Sequence, residues 1–317
     1  MTPAGELLAA EIERNGPIPF RRFMEVSLYH PVHGYYRRAH DPFGKAGDFF
    51  TAEQLQPVFG ILIAARIRAL RRAMGQPPEF TVVELGAGRG EMAQAFAEWT
   101  YAPVELDTAT PQAGIRGVIF SNEFFDALPV DVAIFHDGTF REERVAFREG
   151  RFCWQTAGEV NAEAAGYLSK WYPPAEEGWR YEVNLAALGW IERIASMLAQ
   201  GYVMTIDYGF TRAESVRFPS GTVMGYHRHI AREDVLTDPG ERDITAHVNF
   251  TVLQEAGAAA GLVTERFETL AQTLIASGEA DEFAGALAGG ELRRRMQLKT
   301  LLFGMGETFR VLLQRKV

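Results

Sequence analysis

One cysteine, Cys153, in 317 residues is too few for an internal disulfide or a cysteine-rich metal site, and it fits a reducing compartment. Basic charge is also scarce. The 32 Lys and Arg stand against 41 Asp and Glu, a formal net charge of −9, so no broad nucleic-acid footprint is expected. Long hydrophobic runs are missing: the longest aliphatic stretch, near residues 59–65, runs into Arg66 and Arg68, far short of the ~20 residues that cross a bilayer. The first residues carry Glu6, Glu11 and Glu13 and no apolar signal-peptide core. Together these absences read as a soluble cytoplasmic protein without membrane insertion. No internal repeat or low-complexity tract appears. What is present, 47% apolar, 23% charged and 12% aromatic residues, is an ordinary globular composition, long enough for one large domain with additions, or two.

Hydrophobic spacing sets the order of elements. Residues 1–15 read as a helix stopped by Asn15-Gly16-Pro17. The aromatic-, Gly- and His-rich stretch 17–54 has no sustained period and reads as a long ordered excursion or small subdomain. Residues 55–74 form an amphipathic helix with Arg66, Arg68, Arg71 and Arg72 on its solvated side. A β-branched run at 80–85 reads as a buried strand, followed by GAGRG and a helix over 91–98. Further strands are expected at 101–106, 117–121, 202–207, 262–268 and 307–315. Helices are expected over 157–200 around Pro173-Pro174, and over 246–260 and 269–300. Residues 132–156 alternate and carry DG and EG turns, an antiparallel three-strand meander with Cys153 as a small buried hydrophobe. Apolar strands alternating with helices point to an open, mostly parallel α/β sheet. The expected organisation is an N-terminal subdomain over 1–75 and a core over 76–317, with the meander at about 132–156 and a substrate-side loop at about 210–245.

The glycine turn is the strongest local signal. Gly86, Ala87, Gly88, Arg89 and Gly90 sit where a strand hands over to a helix, and glycines there let the backbone approach a ligand closely. The spacing is G-x-G-x-G, not the G-x-G-x-x-G of a dinucleotide site. Glu84 lies two positions before the first glycine and suits the ammonium of S-adenosylmethionine (SAM). A nicotinamide site and a plain tight turn are the competing readings. Glu105 lies 21 residues after Glu84, where an acid accepts ribose hydroxyls in such sheets; Asp107 competes, and an idle surface carboxylate is the bland alternative. Asn122, Glu123 and Asp126, in SNEFFDALPV, follow an apolar strand and so lie over the ligand crevice of an open sheet, unless they merely cap a helix.

HPVHGYYRR (30–38), FGKAGDFFTAEQLQPVFG (43–60), VVELGAGRGEM (82–92), SNEFFDALPVDV (121–132), IDYGF (206–210) and GTVMGYHRH with DPGERDITAHVNF (221–250) resemble the MidA-type SAM-dependent methyltransferases along most of the chain. Mitochondrial members of that family are complex I assembly factors that act as protein arginine methyltransferases. The resemblance implies a class I, Rossmann-like methyltransferase core, SAM as methyl donor, and symmetric dimethylation of a protein arginine, with a respiratory-complex subunit as a candidate partner. It also implies that Tyr35, Tyr36 and Asp48 cover the cofactor.

The sequence departs from the family pattern in one place. About ten residues, 108–116, replace the strand, helix and strand that family members carry before NEFFDALP. A second reading, a SAM-binding assembly or interaction factor that does not turn over, rests on that shortening.

For arginine methylation, Glu123 and Asp126 are the candidate bidentate grip on a guanidinium, three apart and so on one face of a helical turn. Asn122 closes the methionine end of the cofactor. His247 is a candidate to orient the arginine or accept a proton, or a structural histidine capping the helix at 246. Asp207-Tyr208-Gly209 is expected to meet the substrate peptide. His30, His33 and His40, and His227 and His229, have no third committed ligand, so no metal is expected.

Overall fold

The computed structural model describes residues 1–37, 52–227, 230–281 and 283–317; Asp48, His40 and His229 lie outside the described residues. Two compact units share the chain. The first takes Met1–Phe50, Asp126–Ala187 and Phe210–Thr251, and the second Thr51–Phe125, Leu188–Gly209 and Val252–Val317. The boundary expected at residue 75 thus falls inside the second unit, while the meander and the 210–245 loop both fall in the first.

In the second unit, six strands build a mixed sheet, with Val263–Thr269 and Thr100–Val104 at its edges. Its strands run Val263–Thr269, Phe309–Lys316, Leu198–Phe210, Ile115–Asn122, Thr81–Leu85 and Thr100–Val104. The last four are parallel, and Phe309–Lys316 is antiparallel to both its neighbours. Central strands buried on both faces need continuous apolar runs, which TVVEL and IRGVIFSN supply. The Val58–Ala73 helix buries Phe59, Leu62, Ile63, Ile67 and Leu70 in a core shared with Val82, Phe96, Val118, Phe120 and Met204. This is the expected class I, Rossmann-like α/β sheet.

Two helical stretches of this unit differ from the sequence reading. The helix expected over 91–98 is regular only at Ala93–Phe96, because Gly90 and the turn before it hold the chain in non-helical geometry. Residues 269–300 break into Leu270–Gly278, Ala284–Leu287 and Glu291–Lys299, with Gly289-Gly290 separating the last two.

The chain passes from Thr81–Leu85 outward to Thr100–Val104, then returns to the opposite side of Thr81–Leu85 through Ile115–Asn122. Between them, residues 105–114 hold neither helix nor strand. Such a reversal opens a crevice beyond the strand ends, here at Leu85 and Ser121, which are direct partners in the ladder.

In the first unit the meander forms as expected: Asp131–His136, Thr139–Arg148 and Arg151–Glu159 pair antiparallel in succession. Arg180–Val183 and Ile18–Pro19 extend the sheet. Cys153 is half-buried rather than fully buried, opposite Ala146. The Pro3–Asn15 helix starts on Thr2, whose Oγ1 accepts from the Gly5 N–H at 3.0 Å, and ends at Gly16. The Phe20–Tyr29 helix was not visible as a period. Phe20, Phe23, Met24 and Leu28 do follow helical spacing and are fully buried, but over only ten residues inside an aromatic-rich stretch.

Candidate functional site

The glycine turn wraps the end of the edge strand. The Gly86 and Ala87 N–H groups donate to the Val104 carbonyl at 2.9 and 3.3 Å, and the Gly90 N–H donates to the Ala87 carbonyl at 2.8 Å. Gly86, Gly88 and Gly90 all have positive φ (70°, 54° and 77°), a region costly for any residue with a Cβ. At Gly86 a Cβ would also lie 3.1 Å from the Phe124 ring. Phe124 in turn meets Trp190 edge-on, with ring centroids 5.0 Å apart. The first glycine and the first phenylalanine of NEFFDALP therefore pack against each other at the strand ends.

Glu105 does reach this turn. Its Oε1 accepts the Gly88 N–H at 2.5 Å, and its backbone N–H donates to the Thr108 Oγ1 at 2.6 Å. The Gly88 bond thus orients this acid just past the end of the edge strand.

Glu84 is fully buried. Burial pushes its carboxyl up to about 7, against the opposing pull of hydrogen bonds from Tyr101 and Glu53. The Tyr101 hydroxyl donates to Glu84 Oε2. Glu53 was not singled out from the sequence, yet it is only 7% exposed on the Ala52–Gln54 turn and hydrogen-bonds to Glu84. Burial, and the negative charge of Glu84 and Glu123, push the Glu53 carboxyl well above the usual carboxylate range. The one sequence signal was an acid set between the apolar Ala52 and Leu55 in a stretch otherwise read as excursion.

The 122–125 bend is pinned to the end of Leu198–Phe210. The Glu123 N–H donates to the Ile206 carbonyl at 2.9 Å, and Asp207 Oδ2 accepts the Phe125 N–H at 3.1 Å. Asp207, fully buried and accepting its own neighbour's N–H at Tyr208 (2.9 Å), thus holds the bend, where a contact to substrate was expected. Glu123 has φ 52°, so 123–126 is a bend and turn, not the helical turn that would set Glu123 and Asp126 on one face. Glu123 Oε1 accepts from the Asn122 Nδ2 at 3.1 Å and the Ala52 N–H at 3.4 Å.

Asp126, Tyr36 and His247 belong to the first unit. The Asp126 carbonyl accepts the Ala246 N–H at 2.9 Å, and the Tyr29 hydroxyl donates to the Ala127 carbonyl at 2.6 Å. The Tyr36 hydroxyl donates to Asp243 Oδ1 at 2.8 Å; burial and the nearby acids Asp243 and Asp126 push it well up. Asp243, which sequence reasoning passed over inside DPGERDITAHVNF, is buried. His247 sits in the loop ahead of the Phe250–Ala259 helix rather than capping a helix at 246. Its N–H donates to Thr222 Oγ1 at 3.0 Å, its ring meets Phe218 edge-on at 5.2 Å, and burial lowers its imidazole to about 4.

His30 and His33 stack at 5.2 Å, with His30 Nδ1 accepting the Val32 and His33 N–H groups in a local turn. At the meander's DG turn, exposed His136, Asp137 and Glu177 bring ligand atoms within 4.8 Å of one another. Among the described residues, no helix is long and apolar enough to cross a membrane.

The fit of SAM is tested by what the buried groups lack. Among the described residues, Glu84 Oε1, Glu53 Oε1 and Asn122 Oδ1 are buried acceptors that take no hydrogen bond. Such acceptors match an ammonium, which carries three donors and no acceptor. The residues present fit the cofactor's amino-acid end.

Comparisons with known proteins agree with this geometry. A model of the S-adenosyl-L-methionine-dependent methyltransferases matches residues 94–268. The chain is 34% identical to the Bos taurus "Protein arginine methyltransferase NDUFAF7, mitochondrial", covering 80% of this chain and 68% of that protein. It is 26% identical to the Drosophila melanogaster homolog of that name, covering 81% and 70%. A Burkholderia thailandensis protein solved with S-adenosylhomocysteine bound superposes with a TM-score of 0.87 at 29% identity, over 99% of this chain and 92% of that one. The cytoplasmic location expected from composition is corrected by these names: the curated relatives are mitochondrial proteins, and neither charge nor one cysteine specifies a compartment. The fold, the buried acids at the strand ends and these likenesses converge: the chain belongs to the family of S-adenosyl-L-methionine-dependent methyltransferases.

Proposed function

We propose that the chain methylates the guanidinium of an arginine in a protein partner, with SAM as donor. The names of the relatives, protein arginine methyltransferases, support the substrate class. The observation that carries the reading is the pinned carboxylate of Glu123 at the strand ends, beside Asn122 and close to the glycine turn through Phe124. Bound at that turn, the cofactor supplies an electrophilic methyl on a sulfonium. Glu84, Glu53 and Asn122 hold its amino-acid end, Glu105 its ribose, and Gly86, Ala87, Gly88 and Gly90 leave backbone room for it.

A guanidinium is a poor nucleophile because its charge is delocalised and it stays protonated. Glu123 counters this by fixing the fork and concentrating electron density on one nitrogen. Its own orientation is fixed by the Ala52 N–H and the Asn122 amide, so positioning supplies much of the acceleration. In the first unit, Asp126 and His247 are separate proposals for guanidinium recognition, with the neutral imidazole able to accept a hydrogen bond without repelling a cation. Symmetric dimethylation and a respiratory-complex subunit as partner rest on the family resemblance.

The test is methyl transfer from labelled SAM into proteins of a lysate lacking this chain, read by mass spectrometry of arginine. Label is expected on arginine. Glu123→Gln is expected to keep cofactor affinity within about tenfold (~1.4 kcal/mol) and to lose turnover. Undiminished labelling by Glu123→Gln would refute the carboxylate's role, and label confined to other residue types would refute the substrate class.

A further inference from the structure

The Glu291–Lys299 helix and the π-helical turn Thr300–Met305 that continues it pack on the core of the second unit. Gln297 and Leu301 are buried there, with Leu298, Leu302 and Met305 half-buried beside them. Leu292, Met296 and Phe303 are turned the other way, and stand 79%, 59% and 79% exposed. Four and seven residues separate them, one turn and two, so they form an apolar stripe along the outer side. Side chains lining a groove for a protein segment share contacts with its walls. These three stand clear of their neighbours as a ridge.

Basic residues border the ridge. Arg293, Arg295 and Lys299 are exposed, while Arg294 reaches back to the Gly285 and Ala286 carbonyls at 3.4 and 3.5 Å. Residues 291–305 hold four basic residues and one acid, Glu291, in a chain whose net charge is −9. A contact between two copies related by a two-fold axis sets the same surface on both sides. Centred on this ridge, it would bring Arg293, Arg295 and Lys299 against their own counterparts, so charge argues against a second copy. An anionic lipid surface complements both features. Leucine, methionine and phenylalanine enter the boundary between headgroups and acyl chains, and the long basic side chains reach the phosphates.

We propose that Leu292, Met296 and Phe303, with Arg293, Arg295 and Lys299, seat the second unit on an anionic lipid surface. The contact lies on the membrane and does not span it: among the described residues, no helix is long and apolar enough to cross. Three apolar side chains and three cations make a reversible, salt-sensitive attachment, and none of them belongs to the SAM site.

The experiment is co-sedimentation of the whole protein with vesicles of phosphatidylcholine alone and of phosphatidylcholine mixed with phosphatidylglycerol. It is run at about 0.1 and 1 M salt, between which the Debye length falls from about 10 to 3 Å. Binding to the mixed vesicles at low salt is expected, and about a hundredfold weaker binding to phosphatidylcholine alone, about fivefold for each of the three cations. The double variant Arg293→Gln, Lys299→Gln is expected to lose about 25-fold by the same measure, and Phe303→Ser about tenfold. All three positions are exposed, so native circular dichroism is expected of both variants, and the wild-type comparison of the two lipids needs neither. Equal binding to both lipids, binding to neither, or binding undiminished at the higher salt would overturn the proposal. So would wild-type affinity in a folded Phe303→Ser variant. Self-association of the wild type that Phe303→Ser abolishes, with vesicles left unbound, would assign the ridge to a second copy instead. Binding to polyglutamate with vesicles left unbound would assign it to an acidic protein.

Discussion

His247 gives the most quantitative prediction. Burial lowers its imidazole from the ordinary 6.5 to about 4. The folded protein therefore keeps the ring neutral at pH values where the unfolded chain protonates it. The stability that depends on a neutral ring is fully present above about pH 6.5 and is lost as pH falls toward 4, since the unfolded state then binds the extra proton. At 1.36 kcal/mol per pKa unit the full difference is about 3 kcal/mol, and about 2 kcal/mol of it is spent by pH 5.

The perturbation is His247→Gln, which keeps the backbone N–H to Thr222 and removes the titration. Urea unfolding followed by tryptophan fluorescence at pH 7.5 and 5.0 would give the stability of each protein. Carboxylates also titrate in this window, so the relevant quantity is the change in the wild type minus the change in the variant. That difference is expected to be about 2 kcal/mol, the wild type losing more. Equal pH dependence in the two proteins would refute the burial argument, as would a proton resonance of His247 titrating near 6.5.

Gly88→Val is expected to abolish SAM binding, because φ 54° strains a branched residue and the side chain would occupy the ligand's approach; micromolar affinity in a folded variant, measured by calorimetry, would count against this. Asp207→Asn puts an amide where a carboxylate accepts the Phe125 and Tyr208 N–H groups. It is expected to destabilise the protein by about 1–3 kcal/mol and to lower turnover more than SAM affinity; an undisturbed melting temperature would argue against its pinning role. Gly117→Ala is expected to prevent folding of the sheet, since a Cβ there would lie 1.9 Å from the Thr81 carbonyl oxygen; soluble expression with native circular dichroism would show that the strands can shift.

The legible parts of this chain were those with a local physical signature. TVVEL followed by GAGRG marks a buried strand and a close-approach turn, and the DG and EG turns mark the meander, without any knowledge of distant residues. Glu84 and Glu105 were legible because their spacing from the glycines is dictated by the sheet. Glu53 and Tyr101 were not, because their roles come from contacts across 31 and 17 residues of sequence to Glu84 and leave no period or motif. The same holds for Asp207, because nothing local in the sequence shows that its carboxylate accepts the Phe125 and Tyr208 N–H groups. The left-handed turn at Glu123 was likewise hidden, since the sequence spacing of two acids says nothing about the φ of the first.

The shortened stretch bears on activity through what it leaves in place. Among the described residues, Thr100–Val104 is the edge of the sheet, and residues 105–114 return the chain directly to Ile115–Asn122. The crevice that matters lies between Thr81–Leu85 and Ile115–Asn122, one strand inward from that edge. Its glycine turn, Glu84, Asn122 and Glu123 all lie at the far ends of those two strands, away from where the shortened stretch enters Ile115–Asn122. Glu105 remains tethered at its place by the Gly88 N–H. With Glu105 proposed as the ribose ligand, the shortening bears on cover at its outer side, and so on cofactor affinity before the transfer step. A shortened edge therefore predicts a raised KM for SAM with kcat preserved. A kcat collapse at saturating SAM in the native chain would contradict that reading and would favour a binding factor that does not turn over.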